Sequence, residues 1–157
     1  MKFFAVVFFL VFALPLFGEG KYVNVMCRTM IPWHCANVRN YTGGGAAAGV
    51  YLSDKIAFEG EISVMERKVF AAARAVMHFS VFEEIDLLFG YGRFDPFFTL
   101  GLNSLFPNGQ SGPEFGVGAY YYLSDDWALR IDGSSTVGIE GDCDAVYCVA
   151  LSLQRAF

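Results

Sequence analysis

The chain has 157 residues, a formal net charge of −5, 55% hydrophobic and 17% aromatic residues, and 17 glycines. This is one domain's worth of chain, and its acidity argues against a nucleic-acid partner. Four cysteines and two histidines (His34, His78) without a Cys-x-x-Cys pair argue against a zinc site, so no metal and no cofactor is expected.

Lys2 precedes an uncharged run from Phe3 to Phe17, broken only by Pro15 and followed by Gly18 and Gly20. This reads as a secretory signal peptide over residues 1–18, with cleavage after residue 20 as the alternative, and residues 19–157 as a single mature domain. A spanning helix needs roughly 20 apolar residues, so a permanent helical anchor is the weaker reading. No cysteine follows the run directly, which speaks against a lipoprotein. Cys27, Cys35, Cys143 and Cys148 all lie in the mature part, and an even number in an exported chain is expected to form disulfides.

Ala46–Asp54 (AAAGVYLSD) and Val117–Asp125 (VGAYYYLSD) match at five of nine positions at an offset of 71 residues. Both end in Tyr-Leu-Ser-Asp, and Ser and Asp favour tight turns by bonding nearby backbone groups. Each copy therefore predicts a β-hairpin. After the first turn Ile56, Phe58, Ile62 and Val64 share a face opposite Ala57, Glu59, Glu61 and Ser63. After the second, Trp127, Leu129 and Ile131 oppose Arg130, Asp132, Ser134 and Thr136. Period-two alternation gives each strand one apolar and one polar face. In a soluble barrel the apolar face is the core, whereas in a membrane barrel it is the outside.

Counted on the template of an eight-stranded barrel, strands are expected at 22–31, 44–52, 55–65, 69–81, 95–103, 114–122, 126–136 and 145–157, the first with poor alternation. Within 66–78 the alanine-rich stretch also admits a helix, with the strand preferred, and 83–93 is either a small helix or an extension of its neighbours. At the C-terminal end Tyr147, Val149, Leu151, Leu153 and Phe157 alternate with Ala150, Ser152, Gln154 and Ala156, while Arg155 interrupts the apolar row.

The signal peptide, the Tyr-Leu-Ser-Asp turn followed by Trp-Ala-Leu-Arg-Ile-Asp, the run Asp95–Gly101 and the terminal Phe157 resemble the small bacterial outer-membrane β-barrel family of OmpA-like and opacity-type proteins. The resemblance covers roughly residues 43–157, and Arg155 departs from it, occupying a position that is usually apolar. It implies an all-β, eight-stranded antiparallel up-and-down transmembrane barrel in the bacterial outer membrane. Its expected partners are outer-membrane lipid and the barrel-insertion machinery, and any extracellular partner is left open. The function it implies is non-enzymatic, structural or of a surface-interaction, adhesion type. A soluble periplasmic lipocalin-like barrel holding a small apolar ligand is the alternative, and a lipid A-modifying hydrolase built on His78-Phe79-Ser80 a second.

On that template Glu59, Glu61, Arg74, His78, Glu114, Arg130 and Asp132 form a polar network in the interior, together with Tyr120 and Tyr122. A barrel of eight strands is just wide enough to be filled by its own side chains, so a packed interior is preferred over a narrow water path. Phe79, Phe98, Trp127 and Phe157 form a periplasmic aromatic girdle, joined by Leu52, Ile56 and Leu123. The outer loops are expected at Pro32–Thr42, Glu66–Lys68, Ser104–Gly112 and Val137–Asp144. Closure sets the first strand against the last, where pairing Cys27 with Cys148 and Cys35 with Cys143 gives nearly equal residue-number sums. Two other connectivities, Cys27 with Cys35 plus Cys143 with Cys148, and Cys27 with Cys143 plus Cys35 with Cys148, stay open. The hydrolase idea lacks the asparagine expected after the serine, where Val81 stands, and places His78 at the inner end of its strand, so no catalytic residue is assigned.

Overall fold

A computed structural model describes residues 20–33, 40–66, 68–79, 82–87, 90–107, 111–137 and 145–157. The signal-peptide segment, Cys35, Cys143 and Ser80 lie outside them. The described residues form nine strands: β1 (Lys21–Trp33), β2 (Tyr41–Ser53), β3 (Ile56–Met65), β4 (Lys68–His78), β5 (Phe82–Leu87), β6 (Gly90–Phe106), β7 (Ser111–Tyr122), β8 (Trp127–Val137) and β9 (Ala145–Ala156). The alanine-rich stretch is the strand β4.

Every strand pairing is antiparallel. The order runs β4, β3, β2, β1, β9, β8, β7, β6, and pairing of β4 with β6 closes an eight-stranded barrel. The seam between β1 and β9 is continuous from Tyr22 opposite Ala156 to Trp33 opposite Ala145. β5 lies outside the circle. It pairs with the first residues of β6, Phe82 opposite Phe94 and Leu87 opposite Gly90, on the edge that β4 leaves beyond His78. Residues 83–87 and 90–93 thus belong to strand pairing that extends a barrel strand, with no helix among those described.

Both Tyr-Leu-Ser-Asp copies make the turns they predict. Ser53 Oγ accepts the Lys55 N–H at 3.4 Å, and Ser124 Oγ accepts the Trp127 N–H at 3.2 Å while the Leu123 N–H donates to Trp127 O at 2.8 Å. Both turns sit at the barrel end that carries the start of β1 and the end of β9, here the terminal end; the other is the loop end. In the closed order, the β2–β3 hairpin faces the β7–β8 hairpin across the lumen.

The expected outer loops contract. Ser104 still pairs with Ser111, Pro32 with Val146 and Thr42 with Thr29, so strand pairing continues into segments expected to be loop. Tyr41, Lys68 and Val137 are likewise strand residues. The strand ends leave residues 34–40, 66–67, 107–110 and 138–144 between strands at the loop end.

The two faces of the wall are inverted relative to a water-soluble barrel. Inside, Arg28, Arg130, Glu114, Gln154 and Asn24 are almost completely buried, whereas Val117, Leu102, Leu52, Leu151 and Ile62 are each more than half exposed on the outside. Small residues on the inner face of β2 make room for this content. A Cβ at Gly49 would lie 2.2 Å from the Tyr22 ring, and one at Gly43 would lie 2.0 Å from the Val64 carbonyl oxygen.

Candidate functional site

The interior is layered along the barrel axis. At the loop end Met30, Met65, Phe70, Leu105, Val146 and Cys148 form an apolar layer. At the terminal end Tyr22, Ala57, Val76, Phe97, Tyr120 and Ala128 form a second layer, with Tyr51 and Tyr122 packed against it. Between them lies an ionic layer contributed by β1, β3, β4, β7 and β8.

Three guanidinium groups organise that layer. Arg28 donates to Glu61 at 2.6 Å and lies 3.9 Å from Asp132. Arg74 lies 3.1 Å from Glu59, 3.1 Å from Glu114, and also pairs with Glu61. Arg130 donates to Glu59 at 2.5 Å, to Asp132 at 2.8 Å and to the Tyr120 hydroxyl at 3.1 Å. Neutral donors satisfy further carboxylate oxygens: Asn24 reaches Glu59 at 2.9 Å, Ser63 reaches Glu61 at 2.7 Å and Asn103 reaches Glu114 at 3.2 Å. Taking each ion out of water costs several kcal/mol, which the network offsets only because nearly every charge has more than one partner. Two of the cations are also capped by rings, Arg28 by Phe70 at 4.7 Å and Arg130 by Phe97 at 4.8 Å.

The structure therefore places Glu59, Glu61, Arg74, Glu114, Arg130 and Asp132 in one connected cluster. His78 sits apart, at the terminal end, where Nδ1 lies 2.7 Å from Asp95 and the ring stacks on Tyr120 at 5.4 Å. Its bond to an interior carboxylate on β6 occupies the side chain within the barrel. Among the described residues no group of His, Cys, Asp and Glu converges as metal ligands.

Sequence reasoning missed Arg28, Asn24, Asp95 and Asn103. The inner row of β1 reads Tyr22, Asn24, Met26, Arg28, Met30 and mixes large apolar with polar residues, because it passes through both apolar layers and the ionic one. A polar-against-apolar test fails on such a strand. The available signal was charge balance, since the inner carboxylates identified from sequence outnumbered the inner guanidinium groups.

On the outer wall, Phe79 and Trp127 are exposed, and the rings of Phe79 and Phe98 lie 5.7 Å apart. Trp127 and Phe157 flank Arg155 at the terminal end. A matching aromatic pair at the loop end, Trp33 and Tyr147, makes an edge contact at 6.0 Å. Pairing of Cys27 with Cys148 is excluded: Cys27 is exposed on the outer face opposite Leu151, while Cys148 is buried inside opposite Met30. The seam register differs by three residues from the one that bridge requires.

The closed eight-stranded fold is similar to that of small outer-membrane β-barrels of known structure. The N-terminal β-barrel domain of Pseudomonas aeruginosa OprF superposes with a TM-score of 0.62 at 14% identity, over 89% of this chain and 99% of that one. Neisserial surface protein A gives 0.55 at 13% identity over 88% and 98%. Ail, the attachment invasion locus protein of Yersinia pestis, gives 0.54 at 10% identity over 89% and 100%. No protein-family model and no curated protein sequence matches the chain.

Proposed function

We propose that this chain is a bacterial outer-membrane barrel, closed to bulk conduction, with a structural or surface-interaction role of the adhesion type. The observation that carries the reading is the inversion of the wall: fully buried arginines inside, and Val117 68% and Leu102 67% exposed outside. Contiguous apolar surface of this kind is covered by lipid or by a partner, and a closed barrel satisfies its backbone groups without water. The terminal end, with its short turns, faces the periplasm, and the loop end faces outward. A lipocalin-like ligand barrel needs a hollow apolar interior, and here the ionic layer fills it. A hydrolase at His78 would have to act from inside the wall. The adhesion role draws on the surface and attachment names of two of the similar barrels, and its contact surface lies at the loop end of the barrel.

The test is expression of the full chain in a non-adherent outer-membrane host. The folded barrel is expected in the outer-membrane fraction, with a gel mobility that changes on boiling, and the cells are expected to gain attachment to matrix-coated surfaces. A soluble periplasmic product overturns the membrane reading. An inserted barrel without attachment overturns the adhesion role and leaves the structural one.

The seam also bears on the cysteines. Every pair in the β1–β9 register has residue numbers adding to 178, from Tyr22 with Ala156 to Trp33 with Ala145. Cys35 and Cys143 share that sum, two positions beyond the last described pair. We infer a single bridge between them, formed by thiol–disulfide exchange with an oxidising periplasmic disulfide, which takes up the electron pair and two protons. Non-reducing peptide mapping is expected to link Cys35 to Cys143 and leave Cys27 and Cys148 as thiols. A peptide linking Cys143 to Cys148 refutes the bridge.

A further inference from the structure

Arg155 is the charged residue that interrupts the outer apolar row of β9. Its register neighbours are Val23 on β1 and Trp127 on β8, and two residues further on the strand has ended at Phe157. The guanidinium lies over the Trp127 ring at 5.5 Å and the Phe157 ring at 5.0 Å. The register partner of Arg155, Val23, is 3% exposed although it belongs to the outer face. Among the described residues no carboxylate pairs with Arg155, and Nε has no hydrogen-bond partner. This contrasts with the interior, where Arg28, Arg74 and Arg130 each meet at least two carboxylates.

We propose that Arg155, held between Trp127 and Phe157, binds the phosphate of a phospholipid headgroup in the leaflet at the terminal end. The proposal rests on the reading that the outer wall meets lipid. A cation on the lipid face is costly at the bilayer midplane, but the cost falls to roughly 0–1 kcal/mol near the interface. One turn-distance from the strand end, beside a tryptophan, is that interface. There a guanidinium offers a planar fork of donors that matches a phosphate diester. The two rings hold the fork from its sides and Nε is buried, so the terminal nitrogens are the donors offered to a headgroup. The rings also shield the charge from the acyl region, a role neither a lysine nor an isolated arginine would fill as well.

The experiment is native mass spectrometry of the detergent-extracted full chain with added phosphatidylglycerol, comparing wild type with Arg155→Gln and Arg155→Lys. One phosphatidylglycerol molecule is expected to stay bound to the wild type. Arg155→Gln is expected to weaken binding by roughly tenfold or more, as loss of charge-assisted hydrogen bonds implies, and Arg155→Lys to weaken it less, by keeping charge without the fork. Excess inorganic phosphate is expected to leave the bound lipid in place. Displacement by inorganic phosphate overturns a lipid site in favour of a general anion site, and equal lipid retention by all three proteins overturns any role for Arg155. Heat-modifiability is read on the same samples: a barrel that inserts but retains no lipid refutes this site alone, whereas a chain that never inserts refutes the membrane reading beneath it. If Arg155→Gln does not fold, the comparison of Arg155→Lys with wild type decides the matter, equal retention refuting the fork.

Discussion

Replacing Arg130 with Met is expected to lower the unfolding free energy by about 3–5 kcal/mol, because it leaves buried carboxylates without their main compensating charge. Glu59 would lose its 2.5 Å partner and Asp132 its 2.8 Å partner, and the Tyr120 hydroxyl would lose a donor. Removing the Glu59 charge as well returns part of the loss, so Arg130→Met with Glu59→Gln should be more stable than the two single effects added together. A coupling of about 1–3 kcal/mol is the expected size for residues sharing one network. Urea unfolding of the barrel in detergent micelles, followed by tryptophan fluorescence and by the gel shift, measures both quantities. An Arg130→Met barrel as stable as wild type would mean that packing alone holds the interior.

The second large effect concerns backbone proximity. Gly43 and Gly60 lie on neighbouring strands, yet a Cβ at Gly43 would meet the Val64 carbonyl oxygen at 2.0 Å and the Met65 Cα at 2.6 Å, while one at Gly60 would meet nothing within 4 Å. Gly43→Ala therefore forces β2 away from β3, and overpacking of this kind costs about 1–3 kcal/mol, or more where backbone must move. Gly60→Ala should be neutral or stabilising by a few tenths of a kcal/mol, since it restricts the unfolded chain without a clash. The yield of heat-modifiable barrel on refolding into detergent should fall for the first and hold for the second. Equal yields would show that the hairpin relaxes around the added methyl.

Much of this architecture is legible in the residues alone. The duplicated Tyr-Leu-Ser-Asp turns fix two hairpins, and strict alternation in β3, β8 and β9 fixes which side chains share a face. What the pattern cannot supply is the direction of that face, since inside and outside exchange without altering the period. β1 was hard to read because one inner row crosses two apolar layers and an ionic one. The hairpin of β5 was hard to read because its pairing continues an existing strand edge and needs no alternation of its own. The cysteine arithmetic matched the seam register for Cys35 with Cys143 but missed it for Cys27 with Cys148, and a shift of three residues carries a side chain from one face of a wall to the other.

The Arg130–Glu59 pair spans 71 residues, the same interval that separates the two Tyr-Leu-Ser-Asp copies. At this one pair of equivalent positions the two repeats thus meet across the lumen with opposite sign, whereas Glu61 and Asp132, also 71 residues apart, are both acidic and share Arg28. Two identical copies of the first half, if they closed on each other as a dimer, would set Glu59 against Glu59 where the monomer sets it against Arg130. At the Glu59–Arg130 position the two halves are therefore complementary rather than interchangeable, and the ion pair that spans the repeat in the monomer would be lost if a half assembled with its own copy.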